Sequence, residues 1–248
     1  MIWIIGGTVN ANDICRLLVS AGWAVLVSVT TDHGRHLSEL AGAEVHQGVL
    51  NENEMATLIV SKEIRCVVDA SHPFAAEVSH NAMTAAQRLS VPYVRFERQN
   101  PVFSGVTYVQ GYAEAVAALD GTHGNILLTT GSKHIAQFVS LGCERLFARV
   151  LSCSASMAQC ESAGLKPVHI IGMSGVCSVE LNLALLKQFN IQHLVTKESG
   201  DEGGLREKVE AARINGVQVL IIQRPAIHYP EVYSDYQLLL LRLNEIIG

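Results

Sequence analysis

Short apolar runs alternate along this chain with longer stretches whose apolar residues recur every three or four positions. Runs at 2–5, 24–29, 44–46, 65–68 and 93–96 have the length and composition of buried strands. Between them, Ile14, Leu17, Leu18 and Ala21 mark a helix over 9–21 that Gly22 ends. A short helix includes 37–40. Asn51 with Glu54 three residues on has the form of a capping box opening the next helix. A further helix is predicted over 73–89, with Phe74, Val78, Ala82 and Ala85 as its buried stripe. The pattern resumes with strands at 106–109, 125–130, 146–150, 169–172, 193–196 and 218–222. Helices are predicted near 113–119, 133–139, 156–162, 178–189 and 205–215. A last helix over 233–247 carries Leu239, Leu243, Ile246 and Ile247 on one side.

Strand–helix alternation with connections of a few residues predicts parallel sheets with right-handed crossovers. The stretch ERQNPVFSG at 97–105 is polar and broken by Pro and Gly, so a boundary is placed there. The expected architecture is α/β: two Rossmann-like parallel-sheet domains, 1–104 binding a dinucleotide and 105–248 binding substrate, with a cleft between them. In such sheets ligands sit beyond the carboxyl ends of the strands.

Composition narrows the class. Of 248 residues, 49% are hydrophobic and 17% charged, and the net charge of −5 gives no reason to expect nucleic acid or an anionic membrane as partner. The six cysteines form no C-x-x-C pair, so neither a zinc site nor a disulfide framework is expected, and no metal ligand set is assigned. They are read as reduced, mostly buried thiols of a cytoplasmic protein. The start MIWII lacks the basic and long apolar regions of a signal peptide, and no apolar run approaches the ~18 residues of a membrane span.

Three strand ends of the first domain carry candidate chemistry. Against G-x-G-x-x-G/A, the first turn offers Gly6, Thr8 and Ala11, so the middle glycine is missing. With Gly7, this turn either holds a pyrophosphate, Thr8 lending its hydroxyl and the helix N-terminus its dipole, or is a tight turn with no ligand. Beyond the second strand stand Ser28, Thr30, Thr31 and Arg35 in place of the acid that would accept from an NAD ribose. Hydroxyls and a guanidinium suit a 2′-phosphate, which favours NADPH over NADH. Asp32 is expected to face solvent or pair with Arg35. Gln47 and Gly48 end the third strand where an adenine often lies.

The fourth strand ends in Asp69-Ala70-Ser71-His72-Pro73-Phe74-Ala75. Pro73 suits a first helical position, which makes His72 the expected cap and leaves the N–H groups of Phe74 and Ala75 facing the cleft. Ala70, Ser71, His72 and Pro73 are assigned to the cofactor side of this turn. His72 is either a satisfied cap or a group that donates a proton or orients a nicotinamide.

This turn, with Ser79 and Asn81, resembles the D-A-[ST]-H-P-[FY]-A…S…N-A signature of the precorrin-6A reductases, a cobalamin-pathway family that includes the cobalt-precorrin-6A reductases. Gly6-Gly7-Thr8, Leu127–Lys133, Val195–Gly200, Gly203-Gly204, Lys208, Ala211-Ala212 and Arg224-Pro225 are similar to further family segments, in order over nearly the whole chain. One segment departs. Where the family carries a Q-G-P-F-S-like turn, this chain has Val176 and Cys177 at the Pro and Phe positions.

The resemblance implies NADPH-dependent reduction of a carbon–carbon double bond of a carboxylate-bearing precorrin macrocycle, with transient contact with neighbouring pathway enzymes. Lysine, arginine and close backbone approach at glycines would meet the substrate's acid groups, so Ser132, Lys133, Lys197, Ser199, Gly200, Gly203 and Arg224 are the substrate-side candidates. Lys197, His72 and Glu198 are conceivable proton donors, as are solvent and the substrate itself, and no catalytic residue is assigned. Three other readings stand beside this one. An NADP-sensing regulator would need no second loop system. A short-chain dehydrogenase would need a Tyr-x-x-x-Lys pair that this chain lacks. A methyltransferase would want an acid where Ser28 and Thr30 stand.

Overall fold

The chain builds β1 (Ile2–Ile5), α1 (Val9–Ser20), β2 (Val25–Val29), α2 (Asp32–Leu40), β3 (Glu44–Gln47), α3 (Glu52–Ser61), β4 (Cys66–Asp69), α4 (Ala76–Arg88) and β5 (Tyr93–Phe96). It continues through β6 (Thr107–Val109), α5 (Tyr112–Leu119), β7 (Asn125–Leu128) and a 3-10 run, Ser132–Leu141, where an α-helix was expected. Then follow β8 (Leu146–Val150), α6 (Ser154–Ser162), β9 (Ile170–Gly172), α7 (Val179–Gln188), β10 (Ile191–Lys197), α8 (Leu205–Ile214) and β11 (Gln218–Ile222). A two-residue strand, β12 (Val232–Tyr233), and α9 (Tyr236–Ile247) close it. This computed structural model describes the backbone of residues 1–248 and every side chain but that of His33.

The strands form two six-stranded sheets, ordered β12-β5-β4-β1-β2-β3 and β6-β11-β10-β7-β8-β9, and every pairing is parallel. The α/β class with two parallel-sheet units is therefore as the alternation predicts. Strands buried on both faces explain the continuous apolar runs. In β1, Ile2 and Ile4 pack into one core with α1 and α9, while Trp3 and Ile5 pack into the other with α3 and α4. Local signals hold as well. Asn51 and Glu54 form the reciprocal capping box of α3, and Gly22 follows the C-cap of α1 with φ +84°.

The domain division is corrected. One unit comprises Met1–Gln99 with Pro225–Gly248, the other Asn100–Arg224. The second domain thus ends at Arg224 rather than 248, because β12 pairs with β5 as the edge strand of the first sheet. Leu239 and Leu243 of α9 are buried in the core beneath β1, and Tyr236 stacks on Phe96 at 4.7 Å.

Burial of α9 makes it integral to the first unit. Leu243→Ala should lower the unfolding free energy by about 2–5 kcal/mol in a denaturant titration, the range for emptying a packed leucine site. A loss below about 1 kcal/mol would show that α9 is an accessory.

Candidate active site

Each sheet has one point where the chain leaves neighbouring strands in opposite directions, which is where α/β sheets open a crevice. In the first sheet it lies between β1 and β4. The turn after β1 and the turn after β4 meet there: the Thr8 hydroxyl donates to Ala70 O at 2.7 Å, and Ala70 N donates to Ile5 O at 3.1 Å. Gly6 permits close packing of the first turn on β2, since a Cβ on it would stand 2.9 Å from Val27 Cγ1. Gly7, at φ +101°, faces open space, with no heavy atom within 4 Å of where a Cβ would be.

Beneath the second turn lies a closed ionic network. Asp69 is fully buried and accepts four hydrogen bonds. Its Oδ1 takes Ser71 N and Arg95 Nη1, both at 2.9 Å; its Oδ2 takes Ser79 Oγ at 2.6 Å and Tyr93 Oη at 2.5 Å. Arg95, also buried, donates to Ser71 Oγ at 3.2 Å and to Glu97 Oε2 at 2.9 Å. Burial alone would depress the Arg95 pKa, but Asp69, Tyr229 and Glu97 hold it above its usual value. Burial, then Asp69, pushes the Tyr93 hydroxyl far up, so it stays protonated and donates. Tyr229 completes the layer, stacked on Tyr93 with Arg95 5.2 Å from its ring. Every acceptor position of Asp69 is used, so it shapes the turn and has no capacity left for a ligand.

This geometry revises several expected roles. The His72 imidazole accepts from Phe74 N at 3.2 Å, and Ala75 N donates to His72 O at 2.7 Å. Residues 72–75 therefore close a turn, and α4 begins at Ala76 with no side-chain cap. His72 is exposed but is not the helix cap, and the N–H groups of Phe74 and Ala75 are engaged within the turn. Ala70 and Ser71 are buried, so their side chains belong to the scaffold, while His72 and Pro73 reach the surface. Thr8 is the N-cap of α1, accepting from Ala11 N at 3.1 Å. With its proton committed to Ala70 O, its hydroxyl is not free to donate to a phosphate. Ser28 is buried, and its Oγ accepts from Trp3 Nε1 at 3.1 Å, which removes it from the rim.

The rim beyond β2 keeps Thr30, Thr31 and Arg35, all exposed. Thr31 caps α2 by accepting from Gly34 N. Asp32 lies 3.7 Å from Arg35 and accepts from Gln47 Nε2 at 3.1 Å, so it does face solvent and pair loosely with Arg35. An exposed pair of this kind is weak and leaves the guanidinium able to take a better anion. Gly48 N donates to Val29 O, joining the ends of β2 and β3.

In the second sheet the equivalent point lies between β7 and β10. Val195 pairs with Leu128, and two residues beyond them stand Lys197 and Thr130. Thr130 is buried, and its Oγ1 has no hydrogen-bond partner among the described residues. Lys197 is held below its usual pKa by burial and by Lys133, and His134 is lowered by burial and by both lysines. The structure thus brings Lys133, Lys197 and His134 into one electropositive neighbourhood. Ser132 Oγ bonds Ser156 Oγ at 3.3 Å. Arg224, expected on the substrate side, staples the loop instead: its Nε donates to Glu198 O, its backbone N to Glu198 Oε2, and its Nη2 to Asn100. Gly200 and Gly203 sit in a tight turn, Gly203 N and Leu205 N both donating to Gly200 O, and Ser199 packs against Gly203.

A family model described as precorrin-6x reductase CbiJ/CobK matches residues 1–244. The chain belongs to the precorrin-6x reductase family. It is 37% identical over 243 residues to a cobalt-precorrin-6A reductase of Priestia megaterium, covering 96% of this chain and 95% of the relative. A cobalt-precorrin-6A reductase of Methanothermobacter thermautotrophicus is 36% identical, over 91% and 76%. A precorrin-6A reductase of Rhodobacter capsulatus is 26% identical, over 90% and 88%. A solved structure of CobK precorrin-6A reductase shares the fold, with TM-score 0.81 at 23% identity over 99% of this chain and 97% of that one.

In this family member the departing segment is locally well tied. Asn182 Nδ2 donates to Cys177 O and Ser178 O, and Cys177 Sγ lies 3.0 Å from Met173 Sδ. Val176 packs against Gly204. Arg95, Tyr93 and Tyr229 escaped the sequence reading, although an arginine inside the otherwise apolar run Tyr93–Phe96 was a signal that a buried anion must face it.

Removing Arg95 strands the buried Asp69 charge. Arg95→Met should cost about 3–5 kcal/mol of stability, and Tyr93→Phe, which removes one hydrogen bond, about 1–3 kcal/mol, both by equilibrium denaturation. Equal, small losses in the two variants would show that the network does not hold the turn.

Proposed function

We propose that this protein reduces a carbon–carbon double bond of the cobalt-precorrin-6A macrocycle in cobalamin biosynthesis, with NADPH as reductant. Family membership supports the substrate class. The relatives at 32–37% identity carry the cobalt-precorrin-6A name, and those named for the metal-free compound stand at 26–28%, which favours a cobalt-bearing substrate. The observation that carries the cofactor reading is the joined pair of turns at the β1/β4 switch point, with Gly7 open to solvent beside the start of α1.

The residues present fit a dinucleotide phosphate. The open Gly7 turn and the N-terminus of α1 suit a pyrophosphate, the helix end favouring negative charge. Thr30, Thr31 and Arg35 at the end of β2 suit a 2′-phosphate, and Gln47-Gly48 borders the adenine. NADPH supplies the hydride when bound; a proton completes the addition across the double bond. The protein's part is to fix orientation. The Asp69–Arg95 network holds the His72–Pro73 turn rigid beside the cofactor, and Lys133 and Lys197 face acid groups of the macrocycle with complementary charge.

Purified protein should bind NADPH more tightly than NADH in a fluorescence titration, and Arg35→Ala should narrow that preference about tenfold, the worth of one charge-assisted contact. An unchanged preference would clear Arg35 of the role, and equal affinity in the wild type would overturn the cofactor assignment. Mixing cobalt-precorrin-6A with enzyme and NADPH should shift its visible spectrum as conjugation shortens. A constant spectrum would reject the reaction.

A further inference from the structure

The face of the second sheet that packs against α7 and α8 carries two cations, Arg149, half-buried, and Lys208, buried. Arg149 follows Phe147 by two residues in β8, and Thr196 follows Leu194 by two in β10, so strand alternation points both toward the side where Phe147 and Leu194 meet Leu186 and Leu205. Arg149 Nη1 donates to Asn182 Oδ1 of α7 at 2.7 Å. Lys208 of α8, 6% exposed, donates to Gly203 O at 2.7 Å and lies 3.5 Å from Thr196 Oγ1. Neither cation is within ion-pair distance of a carboxylate among the described residues. Glu207 is near enough to influence Lys208, but its Oε2 has no hydrogen-bond partner among the described residues. The other groups acting on Lys208 are Arg149, Lys197 and the thiol of Cys177. Burial, then Arg149, pushes the Lys208 pKa down to about 8, and burial also lowers Arg149.

We infer that Arg149, Asn182 and Lys208 form a carboxylate-binding site of the second unit. Three observations meet here. Arg149 is only part-buried, so an anion can reach it, and most of its donors are unused. Asn182 fixes the guanidinium plane through Oδ1 while its Nδ2 is anchored on Cys177 O and Ser178 O. Lys208 has a third N–H direction left after Gly203 and Thr196. Two adjacent cations in a desolvated place are unfavourable alone, and a carboxylate between them relieves both. The site lies one strand from the β7/β10 switch point, on the opposite face of the sheet from Thr130 and Lys197. That its carboxylate is an acetate or propionate arm of the macrocycle rests on the reductase reading; the anion site itself does not.

Two measurements test it. In thermal unfolding at constant ionic strength, citrate should raise the midpoint of the wild type above a chloride control. Arg149→Gln should lose that rise, and Arg149→Lys should retain part of it. An equal rise in Arg149→Gln, or none in the wild type, overturns the site. In turnover, Arg149→Gln should raise KM for cobalt-precorrin-6A about tenfold, leave KM for NADPH unchanged and alter kcat little, the pattern of lost ground-state binding. An unchanged KM removes the site from substrate binding. If the wild type reduces no precorrin, the reductase reading fails, and the citrate comparison alone decides the anion site.

Discussion

A buried carboxylate with all its acceptor positions filled is the constraint on which the first unit's site depends. Asp69 receives Ser71 N from its own turn, Ser79 from α4, and Tyr93 and Arg95 from β5. Such a pair is not a source of large net stability, because desolvating both charges consumes most of the attraction. Its effect is geometric. Any shift of the turn, the helix or the strand would leave a buried charge short of a partner, so the three elements have one acceptable arrangement. The turn that carries His72 and Pro73 is thereby fixed from below, without a cap on α4.

The two units use one architectural rule for different electrostatics. Each has one switch point in its parallel sheet, the place where such sheets take their ligands. In the first unit the β1 turn is neutral and open at Gly7, with one loosely held arginine at the neighbouring strand end. In the second, Lys133, Lys197, Lys208 and Arg149 gather at strand ends and helix starts although the chain's net charge is −5. Burial lowers the pKa values of Lys197, Lys208 and Arg149, and neighbouring positive charge lowers those of Lys197 and Lys208 further. A polyanionic substrate meets that condition, and a neutral one does not.

Much of this was legible in the sequence. The apolar runs found the strands, the Asn51–Glu54 pair found its capping box, and the Asp69–Ala75 stretch identified the family. The errors have physical causes. His72 looked like a cap because Pro73 fits a first helical position, but its imidazole bonds Phe74 N two residues on, and the helix starts later. Residue type makes Ser28 and Thr8 phosphate donors, but Ser28 is buried under Trp3 and the Thr8 proton is given to Ala70 O. Arg224 was read as a ligand for substrate, while Glu198 and Asn100 use its donors.

The sequence by itself determined what depends on neighbours along the chain: the order of strands and helices, the α3 capping box, the α/β class and the family signature. Periodicity and capping act over a few residues, so they are written locally. Only the tertiary structure decided which strands pair, that β12 and α9 return to the first sheet, and that Asp69 meets Arg95 across 26 positions. A two-residue strand has no pattern of its own, and it exists because β5 offers it a hydrogen-bonding edge. A buried charge is likewise tolerable only where folding delivers its partner, and that partner need not stand near it in the chain.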